Sequence, residues 1–149
     1  MKKLLLLTLA IVTLTSLVYS QTTPAIKRGG VIVYEKDGHG LVAAPTDLGP
    51  ESYYGSTSRP WIYAETGCEK LVLNGYSDWR LPTIKELNSL YKNMDKIGGF
   101  DKSGEYWSSN EDNYGWARCL LFIDGKQYWN MKVSGLEVRC VRTFSYLTL

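Results

Sequence analysis

The order of elements along this chain predicts an α+β fold: two strands, two helices, then three or four strands. Three stretches carry that prediction. "GGVIVYEKDGHGLVAAP" pairs β-branched and aromatic residues around an Asp-Gly turn, which is the pattern of a hairpin. "RLPTIKELNSLYKNM" carries a helix start signal followed by apolar residues at the 3.6-residue period. From "EYWSS" to "EVRCVRTF" the chain is aromatic-rich, β-like and punctuated by turns.

Taken in order, the hairpin predicts a strand at 31–34, a turn over 37–40 that holds His39, and a strand at 41–44. "TDLGPESYYGSTS" is rich in turn formers and reads as irregular. A first helix is expected from Ser58, with Pro60 in its first turn. Trp61, Ala64, Cys68 and Leu71 then fall on one face. "NGYSD" reads as a turn. The second helix is opened by the capping box Thr83-x-x-Glu86, and Pro82 keeps Leu81 extended before it. Ile84, Leu87, Leu90, Tyr91 and Met94 form its apolar stripe, and Gly98 and Gly99 stop it. "EYWSS" is a short strand, "NEDNYG" a polar loop, "WARCLLFI" a strand, "DGK" a turn and "QYWNMKV" its partner. "EVRCVRTF" is the last strand.

The organisation is one domain, expected at 29–149, behind a signal peptide at 1–20 and a short tether at 21–28. Lys2 and Lys3 precede an apolar run from Leu4 to Val18, with small residues before a cut after Ser20. That run is shorter than a spanning helix needs and holds four hydroxyl residues, which disfavours an uncleaved anchor. The chain after the cut is expected to be soluble and without a membrane span, in the periplasm, at the cell surface or secreted. The signal segment carries two lysines and no acid, so the remainder balances 15 basic against 15 acidic side chains. Such a balance does not call for a nucleic-acid partner.

Cys68, Cys119 and Cys140 are the cysteines, and in an exported chain one pair can form and one thiol is left over. No Cys/His cluster suggests zinc, and His39 is the only histidine. No metal or cofactor is expected. Ser108 and Ser109 lack a base nearby in sequence, and no glycine-rich phosphate loop is present. Catalysis is therefore not expected.

"GGVIVYEKDGHGLVAAPTDL", "NGYSDWRLPTIKELNSLY", "GGF", "YWSSNEDN" and "EVRCVR" together resemble the Lcl C-terminal-domain family. This is a bacterial, mostly exported family long counted among domains of unknown function. "YWSS…GLEVRCVR" is also similar to the Fibrobacter major paralogous domain. The resemblance covers about residues 29 to 144. It implies a C-type-lectin-like fold: two helices packed on a small, twisted antiparallel sheet with long loops. It also implies a Cys68–Cys140 bridge from the first helix to the last strand, with Cys119 buried and free. Cys119–Cys140 across two strands is the alternative. The adhesin that names the family is associated with sulfated glycosaminoglycans, so the resemblance implies an adhesin-like carbohydrate-binding role in the cell envelope. The calcium-binding triplet Trp-Asn-Asp of such lectins is replaced here by Trp129-Asn130-Met131, and methionine is no ligand for a hard cation. Asn110 to Asn113 offer oxygens but read as a solvated loop.

Two groups of residues follow as candidates. Asp78, Trp79 and Arg80, directly before the second helix, are read as a structural clamp, with Asp78 accepting from turn N–H groups. Trp107 is read as a core aromatic in the same sense. The ligand face is placed at Trp116, Arg118, Lys126, Tyr128, Trp129, Asn130 and Lys132. Period two puts Lys126, Tyr128, Asn130 and Lys132 on one side of a strand, a surface suited to anionic glycans. An envelope protein bound by the same aromatic face is the alternative partner.

Overall fold

The computed structural model describes residues 24–49 and 58–146. The expected signal peptide lies outside the described residues. No helix among the described residues is long and apolar enough to cross a membrane.

Two three-stranded antiparallel sheets and three helices make up the described chain. The first sheet holds β1 (Val31–Lys36), β2 (His39–Ala43) and β6 (Val141–Ser145), in that order across the sheet. The second is a meander of β3 (Glu105–Glu111), β4 (Trp116–Leu121) and β5 (Gln127–Met131). Helices α1 (Trp61–Glu69), α2 (Ile84–Lys92) and α3 (Met94–Ile97) come between the hairpin and the meander in sequence. The expectation of α+β holds, and that of a single small sheet is corrected. The N-terminal hairpin takes its third strand from the far end of the chain, because Leu41 pairs with Thr143 and Ala43 with Val141.

The hairpin turn is tighter than expected. Asp37 and Gly38 both have positive φ, at 51° and 78°, the geometry of a two-residue hairpin loop. His39 is therefore the first residue of β2, opposite Lys36, rather than part of the turn. Helix α1 starts at Trp61, three residues later than expected, with Pro60 at the cap position and no side-chain cap. Trp61, Ala64 and Cys68 are buried, as the spacing predicts, whereas Leu71 lies past the helix end and is half-buried. The capping box is present as read: the Thr83 hydroxyl accepts from Glu86 N–H, and Glu86 accepts from Thr83 N–H at 2.8 Å. The stripe of the second helix breaks at Asn93, so Met94 opens α3 instead of ending α2. Gly98 and Gly99, both at positive φ, end the helical stretch.

The segment Leu136 to Val141 ties the parts together. Leu136 exchanges backbone hydrogen bonds with Arg59. Glu137 N–H donates to Glu105 C=O at 2.8 Å and its own carbonyl accepts from Trp107 N–H at 3.1 Å. Leu48 N–H donates to Val138 C=O and Ala44 N–H to Cys140 C=O. Val141 exchanges both bonds with Arg80 at 2.8 and 2.9 Å. Cys140 is joined to Cys68 by a disulfide, and Cys119 is free and buried. The bridge implied by the family resemblance is thus the one present, with Cys140 just ahead of β6.

Two apolar clusters fill the interior. One surrounds the disulfide and holds Trp61, Trp79, Trp107 and Val138. The other lies under α2 and α3, where Leu87, Leu90 and Ile97 meet Val31, Leu41, Tyr106 and Phe122. Helix α2 covers one end of the outer face of β3 and β4. The other end of that face stays open, which decides where a site can lie.

Candidate functional site

Three arginines organise the polar interior. Arg139 is fully buried, at 0% exposure. Its guanidinium donates to Asp47 Oδ1 at 2.6 Å, to Gly99 C=O at 2.6 Å, and to Ala44 and Gly98 C=O at 3.1 Å each. It also lies over the Phe100 ring at 3.8 Å. Asp47 accepts a second bond from Tyr106 Oη at 2.7 Å. Burial pushes the Asp47 carboxyl up, although Arg139 and Tyr106 pull against it. Burial and the neighbouring Asp47 push the Tyr106 phenol far up, so it stays protonated as the donor.

Asp78, Trp79 and Arg80 are built into this scheme. Asp78 accepts a two-point contact from Arg142, at 2.6 and 2.9 Å, rather than serving chiefly as a turn acceptor. That contact holds its carboxyl below the usual carboxylate range. Arg142 also donates to Arg28 C=O and stacks over Tyr76 at 3.8 Å. Trp79 is buried, and its indole N–H has no partner among the described residues. Arg80 makes a two-point contact with Glu86, at 2.7 and 2.8 Å. Glu86 therefore caps α2 and pairs with Arg80 at once; its carboxyl sits below the usual range because these bonds outweigh burial, the largest single influence. Trp107 is fully buried and donates to Arg59 C=O at 2.7 Å.

The seven residues expected to meet a ligand divide between two sides of the meander. Trp116, Arg118 and Trp129 come together on the open end of the outer face. Trp116 sits opposite Met131, and Arg118 opposite Trp129. Trp116 and Trp129 are thereby diagonal neighbours on one face. Their exposures of 41% and 47%, with 50% for Met131, mark this face as uncovered. The Arg118 guanidinium lies 5.8 Å from the Trp129 ring and donates to Gln127 Oε1 at 3.2 Å.

Tyr128 and Asn130 are on the opposite side, which corrects the lysine-flanked stripe. Tyr128 pairs with buried Cys119 and packs against the disulfide cluster. Burial, with Glu105 next in influence, pushes its phenol up. Asn130 is occupied by the Met131 N–H and the Ser134 hydroxyl. Lys132 is bound to Glu111 and to Asp112 C=O, and lies over the Trp61 ring at 4.9 Å. Lys126 is at the hairpin tip, 3.3 Å from Asp124. Period two places Tyr128, Asn130 and Lys132 in phase as read, but theirs is the packed side; Lys126 is exposed at the tip, and the open side belongs to the odd-numbered residues of β5.

The oxygens of Asn110 to Asp112 are also engaged. Asn110 and Glu111 belong to β3, not to a loop, and Asn110 Oδ1 accepts from Ile84 N–H at the start of α2. Asp112 Oδ1 accepts from the N–H groups of Tyr114 and Trp116. No group of three or more His, Cys, Asp or Glu able to hold a metal occurs among the described residues. A polar concavity of about 370 Å³ beside Glu105 and Glu137 holds Ser58, whose hydroxyl donates to Glu137 at 2.9 Å, and no histidine or cysteine. Burial pushes the Cys119 thiol up to about 11, which keeps it protonated and unreactive.

Arg139, Asp47 and Arg142 were not singled out by sequence. The one local hint was an arginine flanked by Val138 and Cys140, and nothing near it in sequence points to its acid partner, Asp47.

The molecule is thus a disulfide-braced α+β domain, with a packed arginine-rich interior and an aromatic open face at β4 and β5. Residues 14–142 match the Lcl C-terminal domain, and the chain belongs to that family. No curated protein matches the chain at a significant level.

Proposed function

We propose that this is an exported, non-catalytic binding domain of C-type-lectin-like architecture that recognises glycans through the open face of β4 and β5. The observation that carries this reading is the pair of exposed indoles, Trp116 and Trp129, beside the Arg118 guanidinium. Exposed aromatic faces stack on the apolar faces of sugar rings, and an arginine fork suits a carboxylate or sulfate. The bridge from α1 to the residue before β6 supports the lectin-like architecture. The absence of catalysis rests on His39 at the hairpin, distant in sequence from every candidate nucleophile, and on the buried thiol of Cys119. Asp78, Trp79 and Arg80 serve as bracing in this reading, because each is engaged with or buried among residues of the fold.

The test is a glycan array together with heparin chromatography, run on the parent and on Trp129→Ala. Array binding that Trp129→Ala abolishes, at an unchanged melting temperature, supports the reading. Elution from heparin at trivial salt with no array signal removes the glycan. A protein partner in the envelope is the second reading, favoured by Met131 and Val133, which extend the face with apolar, non-aromatic surface. Capture from envelope extracts that Trp129→Ala prevents, without array binding, selects it.

A further inference from the structure

The charges around the open face decide what kind of sugar it can hold. Between residues 112 and 135, which span β4, β5 and their turns, the cations are Arg118, Lys126 and Lys132. Two of them are already answered. Lys126 stands 3.3 Å from Asp124, and Lys132 is held by Glu111 and by Asp112 C=O. Asp112 also lies beside Trp116, whose N–H it accepts at 2.8 Å. Asp124, Glu111 and Asp112 thus outweigh the two lysines. Arg118 has no carboxylate partner among the described residues.

The Arg118 guanidinium is held at one side only. Its Nη2 donates to Gln127 Oε1 at 3.2 Å, and its Nε is buried without a hydrogen-bond partner. Nη1 has no partner among the described residues. Gln127 stands opposite Leu120, which packs under α2, so the glutamine steadies the guanidinium from the covered end of the face. Toward the open end are the indoles. Trp116 is two residues before Arg118 on β4, and Trp129 is directly across from it. Arg118 is therefore next to both on one face. Diagonal neighbours in a sheet lie about 7–8 Å apart, so the two indoles make a short platform and not a long groove.

We propose that the ligand of this platform is a uronic acid within an unsulfated chain, its ring stacked on an indole and its single carboxylate on Arg118 Nη1. This rests on the glycan reading above and narrows it to one chemical class. A uronate carboxyl is bonded directly to a ring carbon. A ring lying on Trp129 therefore carries the acid at its rim, beside the guanidinium, which is 5.8 Å from that indole. A sulfate ester stands further out, on an oxygen that swings. A polysulfated chain would also set its other charges against Glu111 and Asp112, and like charges across an interface repel. A wholly neutral chain would take water from the Arg118 charge without pairing it, which is costly. One cation between two indoles fits one acid among neutral rings.

Isothermal titration calorimetry on the full chain tests the class. The probes are an oligosaccharide that alternates a uronic acid with a neutral sugar, the same oligosaccharide with its carboxyls reduced to alcohols, and heparin. The parent is expected to bind the acid form about tenfold or more tighter than the reduced form. Its affinity for the acid form should fall only about threefold between about 50 and 200 mM salt, as one ion pair gives. Arg118→Gln should bind the two forms alike, because stacking remains and the charge does not. The comparison of the two sugars on the parent needs no variant to fold. Equal binding of both forms by the parent overturns the uronate and leaves the glycan reading standing. So does tighter binding of heparin with a much steeper salt dependence. A preference for the acid that survives in Arg118→Gln overturns the role given to Arg118. Binding of none of the three probes, with no signal on the glycan array, ends both readings together.

Discussion

Replacing Arg139 by methionine keeps most of the side-chain volume and removes the charge. The guanidinium gives four hydrogen bonds, one to the Asp47 carboxylate and three to backbone carbonyls. Removing one member of a buried ion pair costs about 3–5 kcal/mol, because the partner charge is left in a poor environment. Here Asp47 keeps its bond from Tyr106 Oη, which moderates the loss. The carbonyls of Ala44, Gly98 and Gly99 lose a donor, at about 1–3 kcal/mol for each that water cannot reach. A total near 4 kcal/mol is expected, which for a domain of this size lowers the melting temperature by about 10–20 °C. The loss should also depend on pH. Without Arg139, only the Tyr106 hydroxyl is left to oppose burial, and the folded-state pKa of Asp47 rises further. A carboxyl with a raised folded pKa favours the fold below its unfolded pKa, and that advantage disappears as pH rises through the folded pKa. The gap between variant and parent should therefore narrow as pH is lowered from neutrality toward the ordinary aspartate range. Thermal unfolding followed by circular dichroism at several pH values reads both effects. A loss below about 1 kcal/mol, or a gap that widens on acidification, refutes the account of Arg139 as the organising cation of the interior.

Replacing both Cys68 and Cys140 by alanine opens a loop with a sequence separation of 72 and should cost about 2–4 kcal/mol, measured by urea unfolding; non-reducing peptide mapping that finds all three thiols free discards the bridge. Asp78→Ala should lower stability by about 1 kcal/mol, a figure kept small because the carboxylate is 56% exposed, and calorimetry reads it. An unchanged melting temperature with lost ligand binding would instead make Asp78 a contact residue. Glu86 has a lowered folded pKa, so its contribution is present above the ordinary glutamate pKa and is lost as pH falls through the folded value. Glu86→Gln should accordingly be less stable at neutral pH and show a flatter acid limb in pH-dependent unfolding.

Local signals in the sequence were strong where short-range physics decides the outcome. The Thr83–Glu86 box, the Asp37-Gly38 turn and the buried face of Trp61, Ala64 and Cys68 are all settled within a few residues of chain. Phase on β5 was legible in the same sense, since alternation tells which side chains share a side. It does not tell which side is covered. Here the disulfide cluster takes Tyr128, Asn130 on the same side bonds Ser134 and Glu105, and α2 covers only part of the other side, so the open face belongs to Trp129 and Met131. Division into two sheets was not legible either, because β6 and β2 pair across the whole length of the domain. Arg139 reads as an ordinary polar residue until Asp47, far upstream, is brought beneath it.

The stretch from Leu136 to Val141 has a consequence for how the molecule comes into being. It supplies hydrogen bonds to both sheets, to the start of α1 and to the entry of α2, and it bears one half of the disulfide. A chain emerging from its amino end therefore lacks the keystone of both halves until this stretch has been made. Nascent chains should stay open and unlocked until it emerges. Cutting the chain ahead of Leu136 would take from both sheets the backbone bonds that join them.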